Sequence, residues 1–238
     1  QGSRGLGDVY KRQDEDSGFV PVSERSPLDR WILSKVTEMA DDYHSNFVSW
    51  DFHKAGRGLE DFVVNDLSNW YVRRSRRRLW DEADSNDKRA CQHTLHEVLL
   101  VVCRLMAPVS PFTPDHIHRS LTGSSVHLAD WPVGSEIVDR SLPKRDFGLE
   151  QEMALVRSLA EAGRRIRVDS NRRQRLPCRT GWIVGGPDIS RFSEILAEEL
   201  NVEVLSTERD LDAFQRIVLE PNRKVLLSLI HISEPTRP

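Results

Sequence analysis

The stretch SPLDRWILSKVTEMADDYHSNF, residues 26–47, has the pattern of an amphipathic helix. Ser26 suits the N-cap, Pro27 suits the first helical position, and Asp29 favours the positively charged start of a helix. The apolar residues recur at intervals of three and four and share one face: Leu28, Trp31, Ile32, Val36, Met39 and Tyr43. Because a helix cannot bury such a face alone, the segment predicts a bundle of several helices.

Three further segments downstream show helical patterns and can supply the partners of this helix. One runs from about residue 51 to residue 80, with a break expected at residues 66–68. Another covers residues 87–106 and stops at the proline-rich APVSPFTP, where Ser110 is expected to cap the last helix, residues 111–121. Short connections between the four helices favour an antiparallel bundle.

The pattern changes after a strap at residues 124–133 and a linker. Helix and strand then alternate, with a helix at 147–168, a strand at 181–186, a helix reaching residue 200, a strand at 202–205, and one or two further elements at 216–226. Such alternation is typical of an α/β domain. We therefore expect a mainly α protein, in which an antiparallel helical bundle is followed by a small α/β domain.

Composition limits the possible functions. The chain has 238 residues, 30% of them charged, yet its net charge is only −3, so any basic site must be a local patch. The three cysteines lie far apart and no apolar run approaches the ~20 residues of a membrane span, which favours a reducing, cytoplasmic setting without a membrane partner. No Walker loop, nucleophile elbow, zinc motif or dinucleotide fingerprint occurs, so we assign this chain no catalytic residue, metal ligand or cofactor.

The most unusual stretch is NWYVRRSRRRLW, residues 69–80, with five arginines between tryptophans. On a helical wheel with 100° per residue, the apolar face of this segment continues into Arg74 and Arg77, whereas Arg73 and Arg76 point towards solvent. Arg74 and Arg77 could pair with carboxylates and brace the bundle; Asp66, Asp81 and Glu97 are the candidates. Alternatively, the helix presents its basic end to phosphates, since arginine binds them through two parallel hydrogen bonds.

A second arginine-rich run, GRRIRVDSNRRQR, covers residues 163–175 at the start of the α/β domain. It could be a solvated helix end, or it could extend a path along nucleic-acid phosphates.

Four segments resemble, in this order and spacing, the anticodon-binding helical domain of isoleucyl-tRNA synthetases: SPLDRWILSK, FVVNDLSNWYVRRSRRRLW, LMAPVSPFTPDHI and SVHLADWP. LEQEMALVRSLAEAGRRIR, RLPC and LEPNRKVL resemble the junction region that follows this domain in the same enzymes. The resemblance implies a parent enzyme that activates isoleucine with ATP and magnesium and charges tRNA(Ile). It also implies that this chain is a tRNA-binding fragment, inactive alone and monomeric, whose partners include the catalytic and editing domains of the same parent chain.

The resemblance, together with the basic runs, names the candidate tRNA-binding residues. They are Arg73, Arg74, Arg76, Arg77, Arg78, Trp80, Arg172, Arg173 and Arg175. Two alternatives stay open: a valine-type relative with the same bundle, and a helical protein-interaction module with internally paired arginines.

Both ends of the chain, RGLGDVYKRQ and LSLIHISEPTRP, resemble translated adapter or vector sequence. We expect residues 1–13 and 228–238 to lack packed tertiary contacts. The predicted domain bounds between them are residues 14–145 for the bundle with its strap and 146–227 for the α/β domain.

Overall fold

The computed structural model of the chain describes residues 20–80, 85–132, 144–171, 173–184, 189–208 and 230–232. The chain divides into two compact units, with the division between Phe147 and Gly148. The domain bounds drawn from the sequence remain predictions. The predicted N-terminal tail, residues 1–13, and the segment at 216–226 lie outside the described residues.

The first unit is a helical bundle, as predicted. Its helices are α1 (Pro27–Val48), α2 (Phe52–Asp61), a π-helix (Phe62–Val72), α3 (Arg73–Trp80), α4 (Asn86–Met106) and α5 (Phe112–Thr122). Helix α1 packs against α2, the π-helix and α4, while α4 also packs against α3 and α5. The core between them is apolar and includes Trp31, Ile32, Val36, Tyr43, Tyr71, Val98 and Leu105, each at most 2% exposed.

Side-chain caps fix the starts of three helices. The Ser26 hydroxyl accepts a hydrogen bond from the Asp29 amide at 3.2 Å, and Asp51 and Ser85 cap α2 and α4 in the same way. The prediction that Ser110 caps the last helix is wrong. The amide of Ser110 instead donates to the Met106 carbonyl and prolongs the end of α4, so α5 begins after Pro111 without a side-chain cap.

The expected break at residues 66–68 is also absent. The helical run continues from α2 through the π-helix into α3, and the amide of Arg73 donates to the carbonyl of Ser68, five residues earlier. This wider turn replaces a break because each backbone amide still finds a carbonyl within the helix.

The second unit is the expected small α/β domain. It contains α6 (Phe147–Asp169), α7 (Ser193–Leu200) and three strands, β1 (Cys178–Val184), β2 (Val202–Glu208) and β3 (Ile230–Ile232). Strand β1 lies in the centre of the sheet, parallel to β2 and antiparallel to β3. A parallel pair needs a crossover connection, which α7 provides between β1 and β2. Strand β1 begins three residues before the predicted strand at 181–186.

Strand β3 corrects the expectation for the C-terminal tail. Ile230 and Ile232 pair with Ile183 and Gly181 of β1, so the prediction that residues 228–238 lack tertiary contacts is wrong for these three positions. Because β2 pairs with only one edge of β1, the other edge offers backbone hydrogen-bonding groups beside Ile183. A short segment of alternating apolar and polar residues can pair with that edge, whether or not it belongs to the native protein.

Candidate nucleic-acid interface

The π-helix determines which side chains of α3 face the core. Phe62 and Tyr71 are nine residues apart, a spacing that would place them on opposite sides of an ideal α-helix at 100° per residue. Both are nevertheless buried, with exposures of 2% and 0%. The buried face therefore rotates along the π-helix, and α3 starts with a different phase from the one that the α-helical wheel assigns.

This rotation corrects the predicted orientation of two arginines. Arg77, expected to continue the core face, is exposed, and the inward position belongs to Arg78, which is half-buried. Arg73 and Arg76 are exposed, as the wheel indicates. Three arginine side chains of α3 thus lie at the surface of the bundle.

Arg78 is held by two carboxylates from two other helices. Its guanidinium donates to both oxygens of Asp29, with Nη1–Oδ1 at 2.9 Å and Nη2–Oδ2 at 2.6 Å. It also donates from Nε to Oδ2 of Asp87 at 2.7 Å and from Nη2 to Oδ1 at 2.8 Å. Burial opposes the charged form of Arg78, but the hydrogen bonds to Asp29 and Asp87 raise its pKa above the ordinary value. The clamp joins α3 to the first turns of α1 and α4.

Asp29 is the centre of this clamp and is completely buried. In addition to Arg78, it accepts hydrogen bonds from the Tyr71 hydroxyl at 2.7 Å and from the Ser26 hydroxyl at 2.8 Å. Burial and the charge of Asp29 raise the pKa of Tyr71 above its ordinary value, which keeps this hydroxyl a donor. A buried carboxylate is stable when its oxygens are paired in this way.

Two more side chains complete the surface around α3. The guanidinium carbon of Arg74 lies 4.0 Å from the centre of the Trp70 ring, a cation–π contact that holds this half-buried arginine against the helix. Trp80, at the end of α3, is 79% exposed. An exposed indole beside exposed guanidinium groups can stack on an unpaired base while the arginines bind phosphates.

The two carboxylates that hold Arg78, Asp29 and Asp87, were not among the partners expected for the arginines of this helix. Glu97 pairs with Arg25, whose guanidinium donates to its two oxygens at 2.8 and 2.9 Å. Asp66 is buried in the π-helix, and Asp81 lies outside the described residues. Sequence reasoning missed Asp29 and Asp87 as partners because both stand in a first helical turn, where the helix dipole already accounts for an acidic residue.

The second arginine-rich run separates into a helix end and a loop in the second unit. Arg164 and Arg165 on α6 pair with Glu199 and Glu161, at 2.6 and 2.5 Å. Arg173 and Arg175 are exposed in the loop that follows, whereas Arg172 lies outside the described residues.

Neither a metal site nor a membrane-spanning helix occurs among the described residues. No cluster of three or more histidine, cysteine, aspartate or glutamate side chains there could hold a metal ion. No helix in those ranges has the length and apolar character needed to cross a membrane.

Comparison with known families decides the class of the chain. Residues 29–180 match the model of the anticodon-binding domain of tRNA ligases, and the match begins at the buried carboxylate of the clamp, Asp29. This chain belongs to that family. The anticodon-binding domain match covers the clamp, α3 and the arginine loop, and it extends to the first residues of β1.

The chain also has long stretches of similarity to whole enzymes. It is 41% identical over 229 residues to the isoleucine–tRNA ligase of Deinococcus radiodurans and 41% identical over 206 residues to that of Thermobifida fusca. The similarity to the isoleucine–tRNA ligase of Chlamydia trachomatis is 33% over 229 residues. These matches cover 83–92% of this chain but only 19–21% of the relatives, so the chain spans about a fifth of their length.

Proposed function

We propose that this chain is the part of an isoleucine–tRNA ligase that binds the anticodon arm of tRNA(Ile). The observation that carries the proposal is the arrangement of α3, where Arg73, Arg76 and Arg77 are exposed while Arg78 is locked to Asp29 and Asp87. The locked arginine fixes the helix, and the exposed arginines offer guanidinium groups to phosphates from a rigid support.

The exposed arginines and Trp80 divide the recognition between them. Phosphate contacts from Arg73, Arg76 and Arg77 position the RNA but carry no sequence information. Loop bases of an RNA hairpin are unstacked and can be read by stacking and by polar contacts, and Trp80 offers an open ring for this. Arg74 and Arg78 act as braces in this scheme, the first on Trp70 and the second on Asp29.

The remaining steps of the reaction belong to the parent enzyme in this proposal. Its catalytic domain would use ATP with magnesium to activate isoleucine, and its editing domain would remove mischarged amino acids, since one methylene group gives only ~1–3 kcal/mol of discrimination. The fragment alone is expected to be an inactive, cytoplasmic monomer. Its similarity to three isoleucine–tRNA ligases supports the assignment of the parent enzyme.

Filter binding of three RNAs tests the function. The RNAs are tRNA(Ile), tRNA(Val), and a tRNA(Ile) whose anticodon arm is replaced by that of tRNA(Val). The chain should bind tRNA(Ile) most tightly, lose this preference with the exchanged arm, and show a log–log salt slope of roughly −3 to −5. Tighter binding of tRNA(Val) would assign the chain to the valine-type relative, and salt-independent binding would contradict phosphate recognition.

The protein-interaction alternative is weakened by Arg77. That alternative requires Arg74 and Arg77 to be poorly exposed and paired with carboxylates, but Arg77 is exposed. Arg78 is the arginine of α3 whose side chain is paired inside the bundle with a buried carboxylate, while Arg73, Arg76 and Arg77 are exposed.

A further inference from the structure

Arg167, near the end of α6, is a buried arginine whose hydrogen bonds go to backbone carbonyls. Its side chain is 1% exposed. Nη1 donates to the carbonyls of Leu176 at 2.8 Å and Arg173 at 3.3 Å, and Nη2 donates to those of Leu200 at 2.5 Å and Asn201 at 3.0 Å. One guanidinium therefore links α6 to two other segments, the loop after it and the end of α7.

The end of α7 is a favourable place for this guanidinium. The last carbonyls of a helix lack partners in the helix and carry the negative end of its dipole. Helices α6 and α7 approach closely here because Gly163 has no side chain; a Cβ on Gly163 would lie 2.2 Å from Cδ2 of Leu200. The close approach brings the carbonyls of Leu200 and Asn201 within reach of Arg167.

A second brace to the same loop comes from the side chain of Asn201. Asn201 has a left-handed backbone, with φ of 49°, and its Nδ2 donates to the carbonyl of Gln174 at 3.2 Å. Together with Arg167, it engages the carbonyls of Arg173, Gln174 and Leu176. The loop backbone thus faces inward at three of four consecutive residues, while the side chains of Arg173 and Arg175 are exposed.

We infer that Arg167 and Asn201 are positioning residues that hold the loop at Arg173 and Arg175 as a second phosphate-binding surface for the tRNA. This inference rests on the proposed function, because it takes the RNA backbone as the ligand. A free loop would lose conformational entropy when it binds, so bracing it beforehand raises affinity without any new contact.

The chain offers variants that separate positioning from folding. Asn201→Gly removes the bond to Gln174 but keeps the left-handed turn, because glycine is favoured at that backbone conformation. Arg167→Met removes the central brace. Arg165→Met is the matched control, since it removes one charge from the same helix at a side chain that is 75% exposed.

The experiment measures tRNA(Ile) binding against salt for these variants and for Arg173→Ala with Arg175→Ala. The double variant should lower the magnitude of the log–log salt slope by roughly 1–2, since each lost phosphate contact lowers it by about one. Arg167→Met and Asn201→Gly should shift the slope in the same direction, and neither should change it further in the double-variant background. Arg165→Met should leave the slope near the wild-type value.

The outcomes distinguish this inference from the proposed function. If the wild type binds tRNA(Ile) but neither Asn201→Gly nor Arg173→Ala with Arg175→Ala changes the salt slope, the inference alone is overturned. The inference is also overturned if Arg167→Met changes the salt slope equally in the wild type and in the Arg173→Ala with Arg175→Ala variant. Arg167 would then act through the stability of the whole fold and not through the loop. A wild-type chain that does not bind tRNA would overturn the proposed function as well. Asn201→Gly keeps the test valid even if Arg167→Met does not fold.

Discussion

Helix α3 and the loop at Arg173–Leu176 both present arginines to solvent, and each is held in place by another arginine that points inward. Arg78 is neutralised by the carboxylates of Asp29 and Asp87. Arg167 contacts carbonyl dipoles. The comparison shows two ways to hold a basic surface in place. One is an ion-pair clamp between helices, and the other is a guanidinium that donates hydrogen bonds to the backbone carbonyls of a loop and of a helix end. The two braces should therefore fail differently when a partner is removed.

The largest effect should follow from Asp29→Ala. This change removes the buried carboxylate to which the Arg78 guanidinium and the Tyr71 hydroxyl donate hydrogen bonds. The free energy of unfolding should therefore fall by about 3–5 kcal/mol. Urea denaturation of the whole chain, followed by far-UV circular dichroism, measures the loss. Asp87→Ala is the control; Asp87 is 56% exposed, so its loss should cost about 1 kcal/mol or less.

A double variant sharpens this prediction. Asp29→Ala with Arg78→Met should be more stable than Asp29→Ala alone, because no guanidinium is then left facing the place of the missing Asp29 carboxylate. A single variant as stable as the wild type would show that the clamp does not hold α3.

Arg167→Met should have a smaller effect on stability than Asp29→Ala. The change removes the buried charge itself and leaves only carbonyl groups without a donor, which costs about 1–3 kcal/mol. The same urea titration provides the value, and Arg165→Met should remain within about 0.5 kcal/mol of the wild type because its side chain is exposed. A loss equal to that of Asp29→Ala would remove the distinction between the two braces.

Alkaline pH tests the clamp through Tyr71. Its pKa is raised in the folded chain, so Tyr71 keeps its proton there while the unfolded chain loses it above pH ~10. The unfolded state then binds fewer protons, and the free energy of unfolding should fall by about 1.4 kcal/mol per pH unit above pH ~10. Below pH ~10 the stabilisation by Tyr71 is fully present and does not change with pH.

Tyr71→Phe isolates this contribution. The variant should be less stable at neutral pH, because the hydrogen bond to Asp29 is lost. Above pH ~10 its free energy of unfolding should decline less steeply with pH than that of the wild type, because one titrating group is missing. Tyr43, whose pKa burial also raises, remains in both proteins and therefore cancels in the comparison. An unchanged alkaline slope would place the Tyr71 hydroxyl outside the clamp.

The sequence predicted those parts of the fold that depend on local signals. Helix α1 begins at the predicted cap, Ser26, and buries the predicted apolar face, because caps and periodicity act within a few residues. The orientation of Arg77 was not predictable in this way. It depends on the π-helix, whose five-residue hydrogen bonds change the phase of everything after it, and no local signal announced that change.

The braces escaped sequence analysis for another reason. Arg78 finds Asp29 across 49 positions of the chain, and Arg167 binds carbonyl groups, which every residue carries. Composition located the basic runs, but only the fold shows which arginine in each run is structural. Arg172, Arg173 and Arg175 remain predictions as RNA contacts, and so do the candidates on α3.

The most direct test of the account is the salt dependence of tRNA(Ile) binding for Arg73→Ala with Arg77→Ala. Lys54→Ala with Arg57→Ala is the matched control, with the same loss of charge from exposed side chains of α2, about 20 residues earlier in the same helical run. The α3 variant should keep its stability but lower the magnitude of the log–log slope by about 2, and the control should leave the slope unchanged. Equal slopes for the wild type and both variants would contradict the claim that α3 binds the anticodon arm.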